Sequence, residues 1–306
     1  YKLAEVVPGE RIVLQRNLDY AWWPVFYAQE SEDTLDTIVF RFYEDAPTRS
    51  QALERGAVQM IGELLPTDAE LLLGNTALNI FRVPIAGMPQ QFFFNTQREP
   101  TDEQTLRQAL LYATNRTAIA DAVFQGQSPV AYGPLTSVTP FYDPDVEQMY
   151  PFSPAEARGM LEGLGYADTD DDGILDRDGD PLRLTMVFAP WNQMGDVVQL
   201  IQSQWRDLGI DLELVRAPDF PSLREHVDAG DYHLIAFYDF GVDASLLNPF
   251  YLSDGANNWS GYADEELDQW LHEALRVPDP AARAALYEDP FNDFMVPEAV
   301  LRFLQG

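Results

Sequence analysis

FFFNTQREPTDEQTLRQALLYATNRTAIADAVFQGQ, residues 92–127, reads as a hydrophobic strand, a short polar crossing and two consecutive helices. Thr101 is placed to cap the first helix, with Gln104 three residues on to close a capping box. Leu106, Ala109, Leu110 and Ala113 then fall on one helical face. Asn115 is placed to cap the second helix, Ile119, Ala122 and Val123 face inward, and Gly126 stands where a left-handed stop is wanted.

Phe94-Asn95 followed by Arg107-Gln108-Ala109-Leu110-Leu111-Tyr112-Ala113-Thr114-Asn115-Arg116 resembles a string of the extracytoplasmic solute-binding proteins of the dipeptide, oligopeptide and nickel type (family 5), which serve ABC importers. That family more often has Asp at the position of Asn115, and both residues cap helices. In the family, this segment leaves the first lobe and opens the second. The resemblance therefore implies an α/β fold with two lobes of the periplasmic-binding-protein kind, class II type, with the first lobe incomplete. It assigns residues 1–96 to part of lobe I, 97–296 to lobe II and 297–306 to a return crossing. It also implies that about 200 residues precede Tyr1 in the intact protein, including a signal and often a lipid anchor.

Working outward toward the start, Tyr1 to Asn17 alternates apolar and polar residues around Pro8-Gly9, a β-hairpin signal that also fits the family pattern. Tyr20 to Asp33 reads as an aromatic loop, with Trp22 and Trp23 packing inside the first lobe. Ile38 to Phe42 reads as a strand, Pro47 to Arg55 as a helix closed by Gly56, and Val58 to Ile61 as the next strand. Gln59 stands where the family usually has Asp. Pro66 to Leu73 is expected as helix and Leu78 to Pro84 as strand.

Toward the other end, Pro129 to Pro151 is irregular, and Ser153-Pro154-Ala155-Glu156 is a capping box opening a helix to about Leu164. Arg183–Ala189, Gly195–Leu208 and Ile210–Leu214 make a strand, a helix and a strand, which is a parallel β-α-β unit. Phe220 to Ala229 follows as helix and Tyr232 to Phe237 as strand. Helices are expected over Asp264–Leu275 and from Asp279 through Tyr287, and Val296 to Phe303 resembles the family's return to the first lobe.

The stretch DTDDDGILDRDGD, residues 168–180, carries Asp168, Asp170, Asp172 and Asp176 at positions 1, 3, 5 and 9 of an EF-hand loop. Gly179 occupies position 12, where such a loop has a bidentate Glu, so the strongest ligand is missing. The loop reads either as a turn into the next strand, its common role in the family, or as a Ca²⁺ site. A calcium-loaded interaction module is a third class of reading.

Ala236 to Gly261 resembles the family segment that reaches the ligand cleft, and Asp243 falls on the acid that pairs with a ligand α-ammonium in peptide binders. Phe240 stands where tryptophan is usual, and the following motif is not kept. Transport binding proteins need a closable cleft, aromatic stacking area and a few orienting polar groups. Asp243, Tyr238, Phe240, Trp259, Asn257, Trp191 and Tyr132 are the candidate ligand contacts, while Trp205 and Trp270 sit at core helical spacing. The expected solute is a short peptide, on the strength of Asp243, with an oligosaccharide as the alternative suggested by the aromatics. The other expected partner is the membrane permease of the importer, with the protein itself a monomer held outside the cytoplasm.

Bulk composition narrows the classes further. The 306 residues suggest about two domains. Fifty acids against nineteen bases give a net charge of −31, which disfavours nucleic acid and anionic membrane surfaces. Lys2 is the sole lysine, a bias that fits a salt-loving source and equally GC-rich coding. With no cysteine, thiol catalysis, disulfides and Cys-metal sites are excluded. His226, His233 and His272 lie on separate elements without metal-ligand spacing, and no phosphate-loop, dinucleotide or G-x-S-x-G motif is present. No enzyme activity or obligatory cofactor is expected, although fifty acids leave a carboxylate-pair glycoside hydrolase open as a reading from a different class.

Overall fold

A computed structural model describes residues 1–20, 35–290 and 300–302. The chain divides into two units between Ile80 and Phe81.

In the first unit, β1 (Lys2–Val7) and β2 (Arg11–Gln15) form the hairpin expected around Pro8-Gly9, and β3 (Thr37–Arg41) pairs antiparallel with β2. Helix α1 (Ala46–Glu54) starts on Asp45, whose carboxylate accepts from Thr48 N, and α2 (Pro66–Leu72) follows. Val58–Ile61 and Leu78–Pro84 form no strand, contrary to the sequence expectation. A strand persists through its ladder, and neither segment pairs with a described strand; Phe81, just after the division, is 82 % exposed. The expected aromatic loop with Trp22 and Trp23 lies outside the described residues.

The second unit is built on a five-stranded sheet in the order β10-β4-β9-β7-β8. Its strands are β4 (Gly87–Phe94), β7 (Arg183–Phe188), β8 (Asp211–Arg216), β9 (Leu234–Phe240) and β10 (Val300–Arg302). A separate hairpin, β5 (Asp176–Arg177) with β6 (Asp180–Pro181), closes the acidic loop. β7 runs parallel to both β8 and β9, whereas β4 is antiparallel to β9 and β10 antiparallel to β4. β4 therefore belongs to this sheet.

Side-chain alternation sends each strand's residues to two cores. Phe92 and Phe94 of β4, Leu184 and Met186 of β7, and Leu234 and Ala236 of β9 enter one. It is closed by α3 (Gln104–Tyr112), α4 (Arg116–Phe124), α5 (Pro154–Gly163) and α6 (Met194–Arg206). Phe93, Val187 and Ile235 enter the other. That side is covered by α7 (Phe220–Ala229), the short α8 (Asn248–Tyr251), α9 (Glu265–Ala274) and α10 (Pro280–Pro290). The three phenylalanines of β4 are each fully buried, worth about 1.5–3 kcal/mol apiece.

The helix boundaries follow local chemistry. Asn115 Oδ1 accepts from Ala118 N at 3.0 Å, and Ser153 Oγ from Glu156 N at 3.3 Å, as the capping signals require. Thr101 does not cap α3. Its hydroxyl reaches the carbonyls of Asn95 and Arg98 at 2.7 and 2.9 Å, closing the crossing loop, and the helix starts after Glu103 without a side-chain cap. The buried Arg107 guanidinium steadies the same loop, donating from Nη1 to the carbonyls of Thr101 and Asp102.

Candidate functional site

After β7 the chain enters α6 on one face of the sheet; after β9 it turns to the opposite face, where Leu247, Phe250 and α9 pack. A crevice must open where neighbouring parallel strands send their connections apart, beyond their carboxyl ends. A small hollow of about 20 Å³, partly open to solvent, lies there. Its walls are Met88, Pro89 and Gln90 of β4, Ile85 before it, Thr136, Asn192 after β7, and Tyr238 and Phe240 of β9.

Gly87 makes this arrangement possible. Its φ of 132° lies in the region that favours glycine, and a Cβ there would stand 2.4 Å from the Asp239 carbonyl oxygen. The register shifts between Met88 and Gln91, a bulge that re-aims the strand beside the hollow. Thr139 Oγ1 accepts from Gly87 N at 2.8 Å and Thr136 N donates to Gly87 O at 2.9 Å, pinning the Thr136 loop to the same spot.

A polar string crosses the hollow. Asn192 Nδ2 donates to the Tyr238 hydroxyl at 2.8 Å, and Gln90 Nε2 donates to the Asn192 carbonyl at 2.8 Å. Asn192 and Gln193 both adopt left-handed backbone conformations, with φ of 43° and 59°. Two consecutive non-glycine residues in that region store strain of the kind that clusters at functional sites. A line of rings leads to the hollow and ends on two that line it, Tyr238 and Phe240. Phe220 to Phe237 is 6.0 Å between centroids, Phe237 to Trp191 is 6.2 Å, Trp191 to Tyr238 is 6.3 Å, and Tyr238 to Phe240 is 5.3 Å. Among the described residues the walls carry no charged side chain, so the site suits a ligand held by stacking and neutral hydrogen bonds.

Of the candidates named from sequence, Tyr238 and Phe240 line the hollow, and Trp191 stands edge-on to Tyr238 behind it. Asp243 is paired with Arg283. Its oxygens receive Arg283 Nη1 at 2.7 Å and Nη2 at 2.6 Å, and it also caps the turn at Ser245 N. The Arg283 guanidinium holds this carboxyl well below the usual carboxylate range. Trp259 is 2 % exposed and packs against Phe93, Phe237 and Phe250 as part of the core. Asn257 accepts from Arg224 through Oδ1 at 3.2 Å. Tyr132 lies under the Arg116 guanidinium, 5.0 Å from its ring centroid, and lines a separate depression with Val130, Leu135 and Tyr142.

In the acidic loop, ligand atoms of Asp168, Asp170 and Asp172 lie within 4.8 Å of one another. Asp176 is not among them: its carboxylate accepts from Thr169 N and Oγ1, and its backbone pairs with Ala167. Gln90, Asn192, Met88 and Thr136 were not foreseen. Gln90-Gln91 inside the otherwise apolar run GMPQQFFF was the available signal, because a buried polar residue is the informative exception in a strand covered on both faces.

His233 lies at the opposite end of β9. Its Nδ1 accepts from Thr185 N at 2.9 Å and its Nε2 lies 3.1 Å from the Glu99 carbonyl, an arrangement that needs the neutral ring. Burial, with Arg98 nearby, pushes this imidazole down to about 4.

The model of the bacterial extracellular solute-binding proteins, family 5, matches residues 1–261. The dipeptide-binding protein of Pseudomonas aeruginosa is 28 % identical over 287 residues, covering 91 % of this chain and 50 % of that protein. NikA from Brucella suis, solved in complex with Fe(III)-EDTA, superposes with a TM-score of 0.84 at 22 % identity, over 99 % of this chain and 61 % of that one. The oligopeptide-binding protein AppA from Bacillus subtilis, solved with a nonapeptide, gives 0.79 at 23 % identity, over 99 % and 60 %. The chain thus spans about half the length of the curated relatives it matches, and the solved structures share its fold. Among the described residues no helix is long and apolar enough to cross a membrane.

Proposed function

The chain belongs to the family 5 bacterial extracellular solute-binding proteins, and from that membership we propose that it is the substrate-capturing part of an ABC importer. Its solute is a short peptide. What carries this reading is the hollow at the carboxyl ends of β7 and β9, lined by the rings of Tyr238 and Phe240 and by the uncharged polar groups of Gln90, Asn192 and Thr136. Rings supply area for side chains of varied shape, and the string supplies directional bonds suited to amide groups. The relatives whose names or complexes involve a dipeptide and a nonapeptide support the choice.

In this reading residues 97–296 form the ligand-gripping second lobe, and residues 1–96 contribute to the first. The neighbouring strands β4 and β10 are the crossings by which the chain enters and leaves the second lobe. Binding is non-covalent and favours the closed arrangement by contacts to both lobes. A membrane permease receives the solute, and the intact protein works outside the cytoplasm as a lipid-anchored monomer. The aromatic line makes an oligosaccharide the second reading.

Thermal-shift and calorimetric titration of the intact protein with di- and tripeptides and with maltotriose tests the proposal. A peptide at a hundredfold excess over its Kd should stabilise the protein by about 2.7 kcal/mol. A response to maltotriose alone would replace peptide by oligosaccharide. Cleavage of either probe would end the transport reading.

A further inference from the structure

The depression beside Tyr132 measures about 340 Å³ and is partly open to solvent. Small-ligand pockets start at about 300 Å³, so it has room for a molecule. Pro129, Val130 and Leu135 give it apolar walls, and Tyr132 and Tyr142 add rings. Glu147 is the one charged side chain among the described residues that line it.

A buried cation builds this space. Arg116 is 7 % exposed, and among the described residues no carboxylate pairs with it, although the chain holds fifty acids. Burying a guanidinium costs stability unless carbonyls and rings answer it. Its Nη2 donates to the Tyr150 carbonyl at 2.6 Å, and its Cζ stands 5.0 Å from the Tyr132 ring centroid. One guanidinium thereby ties together two ends of the irregular segment that forms the walls. It also holds Tyr150 in a left-handed conformation, with φ of 48°. Val146, 2 % exposed, roots the turn Pro144–Gln148, and the Tyr142 hydroxyl donates to Glu147 Oε1 at 2.9 Å. The rings and the carboxylate are therefore set before anything binds, which lowers the ordering cost of binding.

We propose that this depression is a binding site, separate from the hollow, for a small aromatic amine. Arg116 does not line the space, so the Tyr132 ring stands between the guanidinium and the ligand. A cation on one face draws electron density from that ring, and the other face then suits a flat ring better than a second cation. The ammonium goes instead to Glu147, where its hydrogen bonds are charge-assisted. The same carboxylate repels an anionic ligand. The inference does not depend on the peptide reading.

The test titrates the intact protein at pH 7 with three probes of one shape: phenethylamine, 2-phenylethanol and 3-phenylpropanoate. Phenethylamine is expected to bind about tenfold more tightly than the alcohol, and phenylpropanoate more weakly than either. Glu147→Gln should bring the amine to the affinity of the alcohol while leaving the urea midpoint unchanged, since the side chain is exposed. Tyr132→Leu should weaken amine and alcohol alike by about fivefold or more. Equal affinity of wild type for amine and alcohol would overturn the proposal. So would an amine affinity that Glu147→Gln and Tyr132→Leu both leave unchanged, which would place the probe elsewhere on the protein.

Discussion

Replacing Asp243 with Ala asks whether that carboxylate serves the fold or the ligand. It is held by two bonds from Arg283, at 2.6 and 2.7 Å. With charge centres roughly 4 Å apart and an effective dielectric of about 20, the attraction is about 4 kcal/mol. The Asp243 side chain is 40 % exposed and that of Arg283 19 %, so screening and lost side-chain freedom reduce the net value to about 1–2 kcal/mol. The lost cap on Ser245 N adds about 0.5 kcal/mol, giving an expected total near 2 kcal/mol. Arg283→Met keeps an apolar stem against Phe141 and Tyr287 and should lose a similar amount. In a double-mutant cycle by urea denaturation at pH 7, the coupling should be about 1–2 kcal/mol. Because Arg283 lowers the folded-state pKa, this stability is present above the unfolded value of 3.8 and is lost as pH falls below it. Peptide affinity of Asp243→Ala should stay within about twofold of wild type, since the carboxylate is already engaged. An unchanged urea midpoint with abolished peptide binding would refute this reasoning and return Asp243 to the ligand.

His233 makes a second test. Its folded value of about 4 lies below the ordinary 6.5, so the unfolded chain binds the extra proton first as pH falls. The stability linked to its neutral ring is complete above about pH 6.5 and is lost between there and pH 4, by no more than about 3 kcal/mol. The difference in urea midpoint between wild type and His233→Gln should therefore shrink across that window, and a pH-independent difference would contradict it. Gly87→Ala should cost about 3 kcal/mol or more and weaken peptide binding together, because its Cβ would meet backbone atoms of Asp239, Phe240 and Gly241. Denaturation and titration of the same variant check both.

The parts legible in the sequence are those set by local pattern. The β7-α6-β8 unit announces itself through alternation in Arg183–Ala189, the buried stripe Val198-Ile201-Trp205 and the stop at Gly209, whose φ is 81°. The caps at Asn115 and Ser153 follow from side chains that need only their own helix. What escaped depends on distant partners. Val58–Ile61 has strand-like residues but no described strand pairs with it, and Thr101 finds its acceptors in the Asn95 and Arg98 carbonyls instead of in α3. Asp243 looked available because Arg283, forty positions on, reaches it only after α10 packs. Trp259 is a candidate contact by its place in Ala236–Gly261, and the rings of Phe93, Phe237 and Phe250 bury it. Gln90 was visible as a polar interruption of β4, but its meaning required Asn192 across the sheet.

A crystal structure of the intact protein with trialanine bound measures the central claim most directly. Peptide density is expected in the hollow beyond β7 and β9, with a side chain against Tyr238 or Phe240. Density confined to the Tyr132 depression or to the acidic loop, with the hollow empty, would contradict it.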